Sequence, residues 1–161
     1  MHVTIEDQLH LDAEPPDVWT AIQDPDAHAA WHPFVTRIEG THRLGDERRC
    51  AVLVGSKPGQ TRERCVEADR ERTIMWAIED DTTGFSRMVS DWRAGFTLAA
   101  DGHGTAVIAR STFRPRNVLV RALVPLIRRR FHRAQRDILD GLAQYMRGLA
   151  VSRPSSRTTL G

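Results

Sequence analysis

Glu63 is the acid in this chain best placed to do chemistry. It lies in the run QTRERCVEA, where Glu63 and Cys65 share one parity and Arg62 and Arg64 the other, so a strand here turns Glu63 toward the apolar side. A carboxyl facing a dry cavity has its charged form disfavoured and can act as general acid or base. Asp7 raises a related question. In VTIEDQLHL it has the parity of Val3, Ile5, Leu9 and Leu11, an acid on an apolar face that either a bulge or a function would explain. Two acids on one cavity would separate their titrations, as carboxylate pairs do. The plainer reading puts Glu63 at an open rim, solvated or paired with an arginine.

The remaining reactive side chains are weaker candidates. Ser90 and Ser111 fall on strand segments whose neighbours are apolar, where a hydroxyl can orient a ligand carbonyl or simply make room. His28 and His32 are four apart, a spacing that metal ligands use on a helix. Ala29, Ala30 and Trp31 stand between them, there is no H-E-x-x-H, and no third ligand is indicated. They are expected on the surface, with His32 able to approach a pocket mouth beside Trp31. Cys50 and Cys65 fall on neighbouring strands but out of step, which suits two buried thiols better than a disulfide. Gly102-His103-Gly104 reads as a turn, because the phosphate-loop pattern is missing. No cofactor and no metal are expected.

Bulk properties narrow the classes further. The chain has 161 residues with 40% hydrophobic and 27% charged, enough for one domain with its own core. A net charge of +2 gives no general affinity for nucleic acid. No run approaches the roughly 18 apolar residues of a membrane span. The acid-bearing opening MHVTIEDQLHLDAE does not resemble a signal peptide, so a cytoplasmic location is expected.

The elements that must position these residues can be read from punctuation and period. After the first strand, Pro15-Pro16 starts a helix with a Val18, Trp19, Ile22 stripe. Asp24-Pro25 ends it, and a second short helix spans 26–31. Strands are predicted over 35–42, 48–56, 60–68, 73–79, 86–98 and 105–114. Residues 117–149 form one long amphipathic helix with a kink or restart at Pro125, its apolar stripe running Leu119, Leu123, Ile127, Phe131, Ala134, Ile138, Leu142, Tyr145 and Leu149. Residues 1–150 make the domain, and 151–161, polar and short of apolar residues, read as a disordered tail. Arg128, Arg129, Arg133 and Arg136 on the outer helix face leave open an anionic partner such as an acyl-carrier protein or a phospholipid surface.

Strand pairing sorts the side chains. With Pro58-Gly59 as a turn centre, Cys50 opposes Glu67 and Val52 opposes Cys65. With Arg70-Glu71 as the next, Cys65 opposes Trp76 and Glu63 opposes Ile78. Around Gly102, Trp92 opposes Ser111. Opposed residues share a face, and both resulting sets are mainly apolar, so both are assigned to the concave side. One helix cannot fill a strongly bent sheet along its whole length. The wide end is therefore expected to enclose a pocket for a hydrophobic small molecule. Its expected walls are Trp31, Phe34, Val52, Val54, Cys65, Trp76, Ile78, Ser90, Trp92, Ser111 and Phe113, with Leu123 and Ile127 from the helix.

This order of elements resembles the START-like (SRPBCC, helix-grip) superfamily, and within it the polyketide cyclase/dehydrase and lipid-transport group. Asp12, Ala13, Pro16, Val18, Trp19, Asp24, Trp31 and Pro33 carry the N-terminal match. DWRAGFTLAADGHGTAVIARSTFRP is similar to the penultimate hairpin of that group, and LVPLIRRRFHRAQRDILDGLAQYM to its closing helix. The resemblance implies an α+β helix-grip fold, a curved antiparallel sheet of about seven strands around a long C-terminal helix. It also implies one of three roles: binding a lipid, polyketide or aromatic metabolite, cyclising or dehydrating a polyketide, or docking another protein as a co-chaperone does; a homodimer is left open beside them. None of its catalytic signatures transfers residue by residue.

Overall fold

A computed structural model describes residues 1–152. Strand β1 (Val3–Leu11) leads into helices α1 (Pro15–Gln23) and α2 (Pro25–Trp31). The meander follows as β2 (Val35–Gly40), β3 (Glu47–Val54), β4 (Lys57–Asp69) and β5 (Thr73–Asp81). A one-turn helix α3 (Phe85–Met88) then precedes β6 (Val89–Asp101) and β7 (Gly104–Pro115). Helices α4 (Val118–Ala122) and α5 (Val124–Ser152) close the fold. All seven strands form one antiparallel sheet in the order β1-β7-β6-β5-β4-β3-β2. The helix-grip architecture is therefore as the sequence implies.

Local chemistry accounts for the boundaries. Two prolines open α1, where their missing N–H groups cost nothing. Asp24 caps α2, its carboxylate accepting from the Asp26 N–H at 2.9 Å. Pro125 has no N–H to continue the ladder, and the last helix breaks at Leu123. That break rotates the stripe. Val120 and Val124 turn inward, while Leu119 and Leu123 are exposed at 77% and 48%, so Leu123 does not reach the interior. At the other end, Val151 and Ser152 continue α5 into the segment read as a tail, and 153–161 lie outside the described residues.

Two registers differ from expectation in an instructive way. The β3–β4 turn centres on Gly55-Ser56, where Gly55 adopts φ +64°, and Pro58-Gly59 lies within β4. Cys50 therefore faces Thr61, and Arg48 faces Glu63. The slip is six residues, an even number, so every side chain keeps its face. The β4–β5 pairs Cys65–Trp76 and Glu63–Ile78 form as read. In β6 the register shifts between Ser90 and Arg93, with Asp91 at φ +50°, and Ala94 rather than Trp92 faces Ser111. Below this bulge Val89 is buried, and Ser90 pairs with exposed Arg114, so Ser90 turns to the convex side.

The interior divides into two apolar clusters. One gathers α1, α2 and the C-terminal half of α5 around Trp19, Trp31, Trp76, Phe96 and Leu142. The other joins Val3, Ile5, Val89 and Phe113 to Val120, Val124 and Ile127, with Phe85, Trp92 and Phe131 alongside. Gly141 lets α5 pass close to the end of α2, because a Cβ there would stand 2.5 Å from the Trp31 carbonyl oxygen. Ala is the better helix former by ~1 kcal/mol, but overpacking against backbone typically costs ~1–3 kcal/mol, so overlap wins. Gly141→Ala should lower stability by about 1–2 kcal/mol in urea denaturation. An increase in stability would show that α2 and α5 are not held this closely.

Candidate functional site

Between the two clusters lies a cavity of about 300 Å³. Aromatic rings from both clusters wall it: Trp76 and Phe96 on one side, Trp92 and Phe131 on the other, with Phe34 nearby. Val54 and Thr83, both exposed, mark its mouth between the end of β3 and the β5–α3 turn. Val52, Ile78, Ala94, Ala109, Ala134 and Ile138 complete the apolar surface.

A buried polar cluster closes the α2 side. Arg48, on β3, donates from Nε to Glu63 Oε2 at 2.8 Å, and its Nη2 lies 2.6 Å from the same oxygen. Thr61 donates its hydroxyl to Glu63 Oε1 at 2.7 Å. Both carboxylate oxygens are thus engaged. Arg48 also gives an Nη1 hydrogen to His42 Nε2 at 2.9 Å and stacks its guanidinium 3.7 Å from the centre of the Trp76 ring. Glu63 is therefore the Arg-paired acid of the plainer reading, except that the pair is buried rather than at a rim.

His28 and His32 overturn the expectation of surface histidines. His28 is 1% exposed, and both residues line the cavity. Their rings stack with centroids 5.3 Å apart, and His28 stacks on Trp31 at 4.7 Å. The side of α2 that carries them packs inward because Trp31 fills the core, its indole N–H donating to the Ala21 carbonyl. Burial, reinforced by the Arg48 charge, holds His32 down to about 3 and His28 well below its ordinary value. The same two causes lower His42 to about 4.

Of the residues assigned to the pocket wall, Phe34, Val52, Val54, Trp76, Ile78, Trp92 and Ser111 line the cavity, as does Glu63. Trp31 and Cys65 belong to one packed cluster, Phe113 and Ile127 to the other. Ser90 and Leu123 point away. Arg48, Phe96, Phe131 and Gln135 line it without having been assigned to its wall, as do His28 and His32, which were expected on the surface. Arg48 has the parity of Cys50, and Phe131 lay on the helix stripe, so signals existed. Gln135 gave none, being a polar residue on an apolar helix face.

Asp7 does not join Glu63. It faces α5, where His132 Nδ1 lies at 2.7 Å and Arg136 Nε at 3.5 Å. Its conflict of parity is thus resolved by partners on the helix. Cys50 and Cys65 are free and buried, and burial raises both thiols, Cys50 to about 11, which leaves neither reactive. No helix among the described residues is long and apolar enough to cross a membrane.

A bent sheet gripping one helix over an aromatic-walled cavity defines a helix-grip domain of the ligand-binding kind. The sequence profile of the family described as polyketide cyclase / dehydrase and lipid transport matches residues 2–147, and the chain belongs to that family. No curated protein matches by sequence. Among solved structures it is similar to a START superfamily protein from Mycobacterium smegmatis, at 11% identity and TM-score 0.75, covering 92% of this chain and 99% of that one. A Thermus thermophilus protein gives 17% identity and TM-score 0.72 over 94% of this chain and 100% of that one. A putative protein of the dynemicin biosynthetic locus gives 15% and 0.64 over 89% of this chain and 47% of that one. At these identities the likeness shows the fold alone.

Proposed function

We propose that this protein binds a small, mostly apolar molecule, of the lipid, polyketide or aromatic-metabolite type, in the cavity between sheet and α5. The observation that carries the reading is an aromatic-walled space between two packed clusters whose strongest charges, Arg48 and Glu63, neutralise each other. Carriage is favoured over polyketide cyclisation or dehydration because Glu63 has both oxygens occupied and presents no free carboxyl to a substrate.

The test is titration with a neutral naphthalene fluorophore, N-phenyl-1-naphthylamine, whose emission rises on entering an apolar site. Ala134 projects from α5 into the cavity wall. Ala134→Phe fills the space and should weaken binding by at least tenfold, with the thermal midpoint unchanged or raised because the void is smaller. Equal affinity in the variant and the parent would place the fluorophore elsewhere and defeat the proposal.

A further inference from the structure

The two cavity histidines are held in opposite tautomers by their backbone partners. His28 Nδ1 lies 2.9 Å from the Ile22 carbonyl oxygen. A carbonyl only accepts, so Nδ1 carries the hydrogen, and in the neutral ring Nε2 is a bare acceptor. His32 is the reverse. Its Nδ1 accepts from the backbone N–H groups of Phe34 and Val35, at 3.1 and 3.2 Å, so its hydrogen sits on Nε2, a donor. Both rings stay neutral near pH 7, since burial holds them far below their ordinary value. Both residues line the cavity, and the hydrogen bonds that hold their rings are made through Nδ1, which leaves Nε2 of each for a ligand. The cavity thus offers one acceptor and one donor from two adjacent stacked rings.

Further polar atoms of the wall are also unsatisfied. Trp76 and Trp92 keep their indole N–H groups without partners, and Gln135 keeps its side-chain oxygen free. Trp76 and Gln135 are 2% and 4% exposed, so water does not compensate them from outside. No free charge accompanies them: Arg48 is committed to Glu63 and His42, and Arg110, which also lines the cavity, is paired with Glu6. A carboxylate ligand would lose its hydration here and meet no unpaired cation.

We infer that the His28–His32 pair is the polar anchor of the cavity, and that the ligand is an uncharged ring compound carrying a hydroxyl, donated to His28 Nε2, and a carbonyl that accepts from His32 Nε2, the two set too far apart on the ring to bond each other. This rests on the binding function proposed above and names the chemistry of its ligand. Ordinary fatty acids are excluded as preferred cargo by their charge. A hydroxy-ketone on fused aromatic rings satisfies the donor, the acceptor and the aromatic walls together.

Four naphthalenes test this by quenching of tryptophan emission: 4-hydroxy-2-acetonaphthone, whose hydroxyl is too far from its own carbonyl to bond it, 2-acetonaphthone, the anion 4-hydroxy-2-naphthoate, and 2-ethylnaphthalene as a hydrocarbon reference. The hydroxy-ketone should bind about tenfold more tightly than either the plain ketone or the anion. Asparagine keeps a polar atom in the place of Nδ1 and removes Nε2. His28→Asn should therefore erase the advantage of the hydroxy-ketone over the ketone. His32→Asn should erase the advantage of the ketone over the hydrocarbon. Should either variant fold poorly, 15N spectra of the ring nitrogens in the parent protein serve instead, and the bare nitrogen signal of His28 should move on adding the hydroxy-ketone. Equal affinities for all four compounds, preference for the anion, or a static His28 signal would overturn the anchor while leaving apolar binding intact. Failure of every probe, the hydrocarbon included, would remove the binding function itself.

Discussion

Mild acid should unfold this protein at a pH where most carboxylates are still charged. His32 titrates at about 3 and His42 at about 4 in the folded state, against an ordinary 6.5, because burial and the Arg48 charge disfavour their cations. Below pH 6.5 the unfolded chain takes up protons that the native state refuses. Stability is therefore full above 6.5, falls as the pH drops toward 4, and levels off only where the native rings protonate as well. By pH 4.5 each of the two has removed ~2.7 kcal/mol, two pH units at 1.36 kcal/mol each, or about 5 kcal/mol together. His28, also lowered, adds in the same direction. That is comparable to the whole stability of a typical domain. Glu79, held below the usual carboxylate range by hydrogen bonds from Arg64, contributes only at lower pH, so the two windows separate. Urea midpoints measured from pH 7.5 to 4.5 provide the readout, and His32→Asn should flatten the profile by roughly a third. A profile level between pH 7 and 5 would mean that the histidines are solvated and the cluster is not built as described.

The second large effect concerns the buried ion pair. Arg48→Met leaves the Glu63 carboxylate buried beside Thr61 without its cation, and breaking one side of such a pair costs ~3–5 kcal/mol. For a chain of this size that is a fall of about 10 °C in the thermal midpoint. Glu63→Leu strands the guanidinium against Trp76 and should cost a similar amount. Arg48→Met with Glu63→Leu removes both charges and should recover most of the loss, since an apolar pair of similar volume often replaces a buried ion pair without penalty. Additive losses in the double variant would show that the two residues do not act as a pair. The cycle also bears on the acid effect. The Arg48 charge helps to hold His28, His32 and His42 down, so its removal should soften the pH dependence as well.

Much of the fold was legible because its signals are local and periodic. The alternation in VTIEDQLHL, the prolines at 15 and 16, the turn residues of the meander and the stripe from Ile127 to Leu142 each require only neighbours in the chain. Face assignments survived even where pairing slipped, because the β3–β4 displacement was even. The break ahead of Pro125 followed from its missing N–H. Its consequence did not. Which residues a restarted helix turns inward depends on the angle at the break, and so Leu123 was misplaced while Val120 and Val124 went unnoticed.

The candidate site was legible only in its apolar half. Period and the pairing of strands across turns were enough to put Val52, Trp76, Ile78, Trp92 and Ser111 on the concave side of the sheet, with Phe34 just ahead of β2. Tertiary structure decided the rest. Whether a ring on that side packs or borders empty space depends on how far the sheet bends. Trp31 and Phe113 therefore fill the two clusters, while Phe96 and Phe131 line the gap between them. The polar end needed three segments distant in sequence to converge: α2 with His28 and His32, the β2–β3 loop with His42, and the β3–β4 hairpin with Arg48 and Glu63. Pattern specifies which face a side chain takes. Only the assembled protein specifies what it meets there, because charge, tautomer and solvation are properties of a surrounding and not of a sequence position.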